Sequence, residues 1–119
     1  MTTQNATLTN LGDQDGSVKK FTWTLTGTDD GAPIPFCEWA DRSVQMSGTW
    51  AAGTVVWEGS NDGVTYFTLT DAQAVAISKT ADALKQIVEV TQWARPRATV
   101  AVTSVNINLV VRRPNPLRT

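Results

Sequence analysis

The stretch from Ser47 to Thr70 constrains the fold of this chain more than any other part of the sequence. It reads SGTWAAGTVVWEGSNDGVTYFTLT, in which two runs rich in β-branched and aromatic residues flank Asn61 to Gly63. Asn, Asp and Gly tolerate the positive φ angles that tight hairpin turns need. The sequence therefore predicts two antiparallel strands, Thr54 to Gly59 and Val64 to Thr70, in which Trp57 faces the aromatic pair that follows the turn.

Alternation of apolar and polar residues predicts further strands on both sides of this hairpin. One face of the segment 19–27 holds Phe21, Trp23 and Leu25. One face of the segment 105–111 holds Val105, Ile107, Leu109 and Val111. Shorter strands are predicted at 36–40, 43–50, 74–77, 86–91 and 97–102, with a loop or one helical turn at 78–85. Roughly seven to nine short strands separated by turn signals predict an all-β fold, a single-domain antiparallel β-sandwich or jelly roll.

The two ends of the chain are polar and lack this alternation. Residues 1–18 are rich in Thr, Asn, Asp and Gly, and we predict a flexible N-terminal arm there. The β-sandwich domain is predicted over 19–113, and 114–119 as a C-terminal tail whose prolines end strand pairing. No apolar run reaches the roughly 18 residues that span a bilayer, and the N-terminus lacks the pattern of a signal peptide. We expect a protein made in a cytoplasm, without a membrane partner.

The chain contains no histidine, which removes the commonest general base and the commonest metal ligand. A single cysteine, Cys37, excludes an intrachain disulfide and is expected as a half-buried strand residue. Acids that lie beside Gly, Asn or Ser are expected to cap turns, and they are Asp13, Asp15, Asp29, Asp30 and Asp62. The same turns offer oxygen ligands to Ca²⁺, and paired acids can hydrolyse glycosides, but turn chemistry explains them better. We expect no enzyme, no catalytic residue, no metal and no cofactor.

Basic and aromatic residues supply the candidate interface. From Val90 to Thr119 there are five arginines and no acid, while the other 89 residues carry 11 acids and 5 bases. Such polarity favours docking on an acidic surface, although solvated arginines at sheet edges would give the same pattern. Among the tryptophans, Trp23 and Trp57 fit a core, and three others lie near strand ends, where an indole can be partly exposed. The candidate interface residues are Trp39, Trp50, Trp93, Arg95, Arg97, Arg112 and Arg113.

Two resemblances rest on these residues. The string EGSNDGVTYFTL, Glu58 to Leu69, resembles the strand, turn and strand of discoidin-like and other carbohydrate-binding sandwiches. The longer block from Ser43 to Arg113 contains the segments SGTW, EGSNDG and WARPR and a closing valine-rich strand. This block resembles the small β-sandwich capsid decoration, or cement, proteins of tailed bacteriophages.

The second resemblance implies a non-enzymatic virion protein on the capsid surface, which bridges neighbouring major capsid proteins and assembles as a dimer or trimer. It implies no catalytic residues. Nucleic-acid binding would need basic residues interleaved with aromatics, and Arg95 and Arg97 beside Trp93 give only a trace of that pattern, so we expect no nucleic-acid partner. Arms at 1–18 and 112–119 would order on a neighbour, and contacts repeated by symmetry would raise avidity. Two alternatives stay open. One is a carbohydrate-binding module that stacks a sugar on Trp50, Tyr66 or Trp93, and the other is a tail or neck component of the virion.

Overall fold

The computed structural model describes residues 2–11 and 18–113. Within these residues two sheets pack face to face over a common apolar core, which confirms the predicted all-β sandwich. The strands are β1 (Thr3–Gln4), β2 (Thr7–Asn10), β3 (Val18–Gly27), β4 (Asp30–Gly31), β5 (Ile34–Pro35), β6 (Asp41–Thr49), β7 (Thr54–Ser60), β8 (Phe67–Thr68), β9 (Ser78–Lys79), β10 (Ala83–Gln86), β11 (Trp93–Val100) and β12 (Val102–Arg112). The same residues contain no helix long and apolar enough to cross a membrane.

The two sheets have the same arrangement, in which a strand from late in the sequence lies between earlier strands. The first sheet has the strand order β1-β4-β11-β7-β8, with β5 also paired to β11 and β9 to β7. The second sheet has the order β10-β6-β12-β3-β2. In each sheet a strand from the end of the sequence lies between earlier strands, β11 between β4 and β7, and β12 between β6 and β3. Every pairing is antiparallel except that of β1 with β4.

Alternating side chains build the core as the sequence predicts. The four inward apolar residues of β12, Val105, Ile107, Leu109 and Val111, are fully buried, and so are Trp23 and Leu25 of β3, beside a half-buried Phe21. Trp23 of the second sheet meets Trp57 of the first edge-on, with ring centres 5.6 Å apart. Phe36 lies 5.8 Å from the ring of Trp57. Aromatic rings therefore fill the space between the sheets.

The outer face of the second sheet is built from hydroxyl and amide side chains. Thr22 donates a hydrogen bond from Oγ1 to Oδ1 of Asn108 at 2.9 Å, and Thr24 donates likewise to Asn106 at 2.9 Å. These are cross-strand pairs between β3 and β12, in register with each other. Gln45 and Ser47 on β6 continue the same two rows.

The prediction of a flexible arm over 1–18 is wrong for the strand residues within it. β1 joins the edge of the first sheet by pairing with β4, and β2 joins the edge of the second by pairing with β3. Residues 2–11 therefore bridge both sheets along one side of the sandwich. The rest of the predicted arm, 12–17, and the predicted tail, 114–119, lie outside the described residues.

Two neighbouring carboxylates hold this N-terminal segment. Asp29 accepts hydrogen bonds from the backbone nitrogen of Thr2 at 3.1 Å and from Nε2 of Gln4 at 2.8 Å. Asp30 accepts one from Oγ1 of Thr3 at 2.8 Å. Burial opposes ionisation of Asp29, but these hydrogen bonds and those from residue 26 hold its pKa below the usual value. Polar contacts, which leave no apolar pattern in the sequence, thus order a segment that looked unstructured.

The predicted strand at 36–40 is a turn, and β5 ends just before it. The backbone nitrogen of Trp39 donates to the carbonyl of Phe36 at 3.3 Å, which closes the turn. Cys37 lies on this turn and is exposed, so the prediction of a half-buried strand cysteine is wrong. Pro35 has no backbone N–H to donate, which limits strand pairing at this position.

The hairpin after β7 is shorter than predicted. β8 pairs Phe67 with Gly59, which places Leu69 opposite Trp57, and the Leu69 nitrogen donates to the Trp57 carbonyl at 2.9 Å. Trp57 therefore packs inward beside an aliphatic residue, and the prediction that it faces the aromatic pair is wrong. Phe67 instead points outward, with 68% of its surface exposed.

The connection that follows also differs from the prediction. Residues 74–77 contribute an isolated bridge between Thr70 and Ala76. The expected loop or helical turn at 78–85 contains β9 and most of β10, and the expected strand at 86–91 keeps only Gln86. Both strands are short and pair at sheet edges, where alternation gives little signal.

Candidate binding surfaces

The outward face of β11 holds three of the predicted interface residues. Ala94 and Ala98 are buried against the core, whereas Trp93, Arg95 and Arg97 lie half-buried on the opposite face. A strand has a period of two, so alternate residues share a face. The structure therefore brings Trp93, Arg95 and Arg97 together on the outer surface of the first sheet.

A buried carboxylate lies beneath the two arginines. Glu58 stands opposite Arg95 in the pairing of β7 with β11. Its Oε1 accepts hydrogen bonds from Nε of Arg95 at 2.8 Å and from Nε of Arg97 at 3.1 Å. A buried charge is stable only when it is paired and hydrogen-bonded, and two guanidinium groups supply both conditions here. These arginines are therefore ordered by an ion pair.

Asp30 and Tyr66 also contact Arg95. We call these five residues the Glu58 cluster: Asp30, Glu58, Tyr66, Arg95 and Arg97. Nη1 of Arg95 donates to Oδ2 of Asp30 at 3.3 Å. The guanidinium carbon of Arg95 lies 4.0 Å from the centre of the Tyr66 ring, a cation–π distance. Burial raises the pKa of the Tyr66 phenol and the nearby Arg95 opposes this, so the hydroxyl stays protonated at neutral pH.

The exposed layer of the Glu58 cluster is cationic although its formal charges cancel. The side chains of Glu58 and Asp30 are 2% and 10% exposed, whereas those of Arg95 and Arg97 are 22% and 40% exposed. Within residues 2–11 and 18–113, no hydrogen bond reaches the Nη atoms of Arg97. A guanidinium with both Nη groups available can bind a carboxylate or phosphate through two parallel hydrogen bonds.

The chain leaves β7 through the loop 61–65, and Asp62 fixes the shape of this loop. Its Oδ1 accepts hydrogen bonds from the backbone nitrogens of Thr65 at 2.9 Å and Val64 at 2.8 Å. Oγ of Ser60 donates to the same oxygen at 2.7 Å. These bonds lower the pKa of Asp62 to about 2, so the carboxylate is ionised at neutral pH. The predicted reversal of the chain at Asn61 to Gly63 is confirmed, but it is a loop over 61–65 rather than a tight turn, and among these three residues only Gly63 has a positive φ.

Two shallow depressions meet at Tyr66, and together we call them the Tyr66 groove. One, of about 330 Å³, lies over the Glu58 cluster and extends to Val64. The other, of about 390 Å³, is lined by Pro33, Asp62, Gly63, Tyr66 and Trp93. Gly63 has a φ of +76°, and a side chain there would come within 3.4 Å of the Trp93 indole nitrogen. Glycine therefore both permits the turn and keeps this edge of Trp93 open.

The remaining predicted arginines lie elsewhere. Arg112 is on the second sheet, where its Nε donates to Oδ2 of Asp41 at 3.0 Å in an exposed ion pair. The guanidinium of Arg113 lies 5.1 Å from the centre of the Trp39 ring. The structure thus divides the predicted interface between the two sheets.

Trp39 and Trp50 are buried, so the prediction that their indoles are partly exposed is wrong for both. Trp39 packs edge-on against Phe21, with ring centres 6.3 Å apart. Trp50 donates from Nε1 to Oδ1 of Asp82 at 2.8 Å. A position near a strand end does not expose an indole when another segment covers it.

A second set of candidate contact residues consists of exposed apolar side chains that sequence reasoning did not identify. Five of them come from the segment 67–90, in which β8 and β9 border the first sheet and β10 borders the second. Hydrogen bonds between Thr70 and residues 88 and 89 hold this segment together. Exposed apolar side chains are candidate contact sites for other molecules. The five residues of this segment, together called the apolar side, are Phe67, Val75, Leu84, Val88 and Val90. Phe67 lies opposite Gly59 at the edge of the first sheet, and Leu84 lies opposite Gln45 at the edge of the second.

The interior of the sandwich contains a buried arginine and, in the part of the chain that the structure describes, several nitrogen donors without partners. Arg42 is buried beside Phe36, with its guanidinium carbon 4.5 Å from the ring centre, and burial lowers its pKa. Among the described residues, the buried side-chain nitrogens without a hydrogen-bond partner are Nε1 of Trp39, Nε1 of Trp57, and Nε and Nη1 of Arg42. All of these are donors, and none can bind a metal cation.

Comparisons with known proteins address the fold. No protein-family model and no curated protein sequence matches the chain. Among solved structures it resembles the SPBc2 prophage-derived protein YomS, with a TM-score of 0.62 and 12% identity over 79% of this chain and 93% of that one. It also resembles a cupin domain from Bordetella pertussis, with a TM-score of 0.53 and 13% identity over 96% of this chain and 99% of that one. The chain thus shares its small all-β sandwich fold with a prophage-derived protein and with a cupin domain.

An oxalate oxidase is a further structural neighbour, with a TM-score of 0.53 and 14% identity, and this chain covers 52% of it. At such identity the likeness concerns the fold alone. The described residues of this chain do not fit a metal centre. The chain has no histidine, and the described residues contain no group of three or more Cys, Asp or Glu side chains placed to hold an ion. The unpartnered donors in its interior would repel a cation.

Proposed function

We propose that this chain is a non-enzymatic structural protein of a tailed-phage particle, which binds the outer surface of the capsid and stabilises contacts between major capsid proteins. The apolar side carries this proposal. Phe67 and four aliphatic residues stay exposed although the sandwich has a complete core. Exposing them to water is unfavourable, and burial against a partner would recover about 25 cal/mol for each Å² covered.

Two further observations support the same role. The fold is shared with a prophage-derived protein over nearly the whole length of that protein. The aromatic-filled interior leaves the outer surfaces for function. A decoration protein needs such a rigid sandwich with an exposed contact surface, because many modest contacts repeated by symmetry give high avidity. Assembly as a dimer or trimer on the capsid belongs to the same proposal.

Removal of apolar groups from the apolar side tests the proposal. Capsids that lack the protein are incubated with the wild-type protein or with the double variant Val88→Ser and Val90→Ser, and rebinding and rupture temperature are measured. The wild-type protein should rebind and raise the rupture temperature, and the double variant should bind at least about tenfold more weakly. Val110→Ser is the matched control, because Val110 is exposed on the outer face of the second sheet.

Two results would overturn the proposal. One is a wild-type protein that neither rebinds capsids nor changes their rupture temperature. The other is a double variant that binds as well as the Val110→Ser control. Cryo-electron microscopy of the particle distinguishes a capsid protein from a tail or neck component, because density restricted to the tail vertex would identify the latter.

A further inference from the structure

We propose that the Tyr66 groove binds an acidic saccharide, with one sugar ring on Trp93 and a carboxylate on the guanidinium of Arg97. This site is separate from the apolar side and does not depend on capsid binding. It lies on the outer face of the first sheet, where β11 and the loop 61–65 meet.

The depression beside Trp93 has the chemistry of a sugar subsite. Trp93, Tyr66 and Pro33 contribute apolar surface, and the open edge beside Gly63 leaves the indole accessible. The C–H face of a pyranose is apolar and packs on an aromatic ring, while its hydroxyls need hydrogen-bond partners around the rim. A shallow depression suits such a ligand, since a sugar keeps one face in water.

Asp62 supplies a hydrogen-bond acceptor at this rim. Its Oδ1 is occupied by the loop, whereas Oδ2 accepts no hydrogen bond within residues 2–11 and 18–113. The carboxylate is ionised at neutral pH because its pKa is about 2. A sugar hydroxyl can therefore donate to an acceptor whose position the loop has already fixed, which lowers the entropy cost of binding.

The depression over the Glu58 cluster selects for negative charge. The acids of this cluster lie beneath its arginines, so the surface that a ligand meets is cationic. Glu58 fixes Nε of Arg97 and leaves both Nη groups available, which is the geometry for bidentate binding of a carboxylate. Because the two depressions meet at Tyr66, a ligand that fills both carries its carboxylate next to a stacked ring. A uronic or sialic acid within an oligosaccharide meets this requirement.

The test uses an array of uronic- and sialic-acid-containing oligosaccharides, neutral glycans of matched length and an acidic peptide. We expect the purified wild-type protein to bind at least one acidic glycan and not its neutral counterpart. Arg97→Gln should weaken this binding at least about tenfold, the loss expected for one charge-assisted hydrogen bond. Arg112→Gln is the matched control, because it removes an exposed arginine from the second sheet.

Nuclear magnetic resonance locates the binding. The indole N–H signal that is missing from the spectrum of Trp93→Phe belongs to Trp93. The acidic glycan that binds on the array should shift this signal in the wild-type protein. The signal of the buried Trp57 should stay in place. Folding of each variant is verified by the dispersion of the remaining signals, so a loss of binding cannot be confused with unfolding.

Several outcomes would overturn this proposal. They are an array without a bound acidic glycan, equal binding of acidic and neutral glycans, and equal loss in Arg97→Gln and Arg112→Gln. Binding of the acidic peptide alone would assign the groove to a protein partner instead. The double variant Val88→Ser and Val90→Ser should bind the glycan normally, so failure of this proposal and failure of the proposed function are distinguishable.

Discussion

The outer face of the first sheet has buried acids beneath exposed guanidinium groups, whereas the outer face of the second sheet has hydroxyl and amide side chains that bond to one another. Both faces cover the same apolar core. On the first, Glu58 needs its two arginines, because a buried charge without partners is costly. On the second, the pairs of Thr22 and Thr24 with Asn106 and Asn108 carry no charge. The first face is thus the one where a single substitution has large consequences.

Glu58→Gln should have the largest effect. The substitution keeps the volume of the side chain but removes the charge that pairs Arg95 and Arg97, and the loss of charge-assisted hydrogen bonds costs about 1.5–3 kcal/mol of unfolding free energy. Chemical denaturation at pH 7 measures the loss. Arg112→Gln breaks the exposed pair with Asp41 and should cost no more than about 1 kcal/mol. Equal losses in the two variants would mean that burial does not distinguish the two ion pairs.

Asn108→Ala should have a smaller effect. It removes the acceptor of the Thr22 hydroxyl, and a neutral hydrogen bond contributes about 1 kcal/mol. A double-mutant cycle with Thr22→Val isolates the pair, and Gln45→Ala in the neighbouring strand serves as the control. A coupling energy of zero between Thr22 and Asn108 would show that this hydrogen bond does not stabilise the fold.

Asp62→Asn should have the smallest effect, and this effect should depend on pH. The pKa of Asp62 is lowered from 3.8 to about 2 in the folded protein, so ionised Asp62 stabilises the fold fully above the ordinary value. The contribution is lost as the pH falls from about 4 to about 2. Thermal melts of both proteins across this range should show a difference in Tm that narrows with acid. A constant difference would contradict the hydrogen bonds of the loop 61–65.

Alternation predicted the parts of the fold that cross the core. The inward faces of β3 and β12, the strand β7 and the reversal of the chain at 61–63 could all be predicted, because each depends on local periodicity or turn chemistry. The pairing of β1 could not, because it is held by Asp29 and Asp30, which look like ordinary turn residues. The burial of Trp39 and Trp50 could not be predicted either, since it depends on segments distant in sequence that cover them.

Only part of the candidate site could be predicted from the sequence, because its contacts join residues that are distant along the chain. The spacing of Arg95 and Arg97 already places both side chains on one face of a strand. Their partner Glu58 is 37 and 39 residues away, and only the register between β7 and β11 brings it beneath them. Tyr66 was predicted as a sugar platform in the alternative reading, but its contact with Arg95 also requires that register. Sequence periodicity thus predicts which residues share a strand face, and tertiary pairing decides what lies across from them.

The central positions of β11 and β12 have a consequence for how the protein is made. The ribosome synthesises these two strands after all the strands with which they pair. Until then, β3 and β6 have no central neighbour, and neither do β4 and β7. The nascent polypeptide can therefore form only the edge pairings of each sheet until β11 and β12 have been made. Folding then requires contacts between residues far apart in sequence, which are slow to form and leave strand edges open to aggregation.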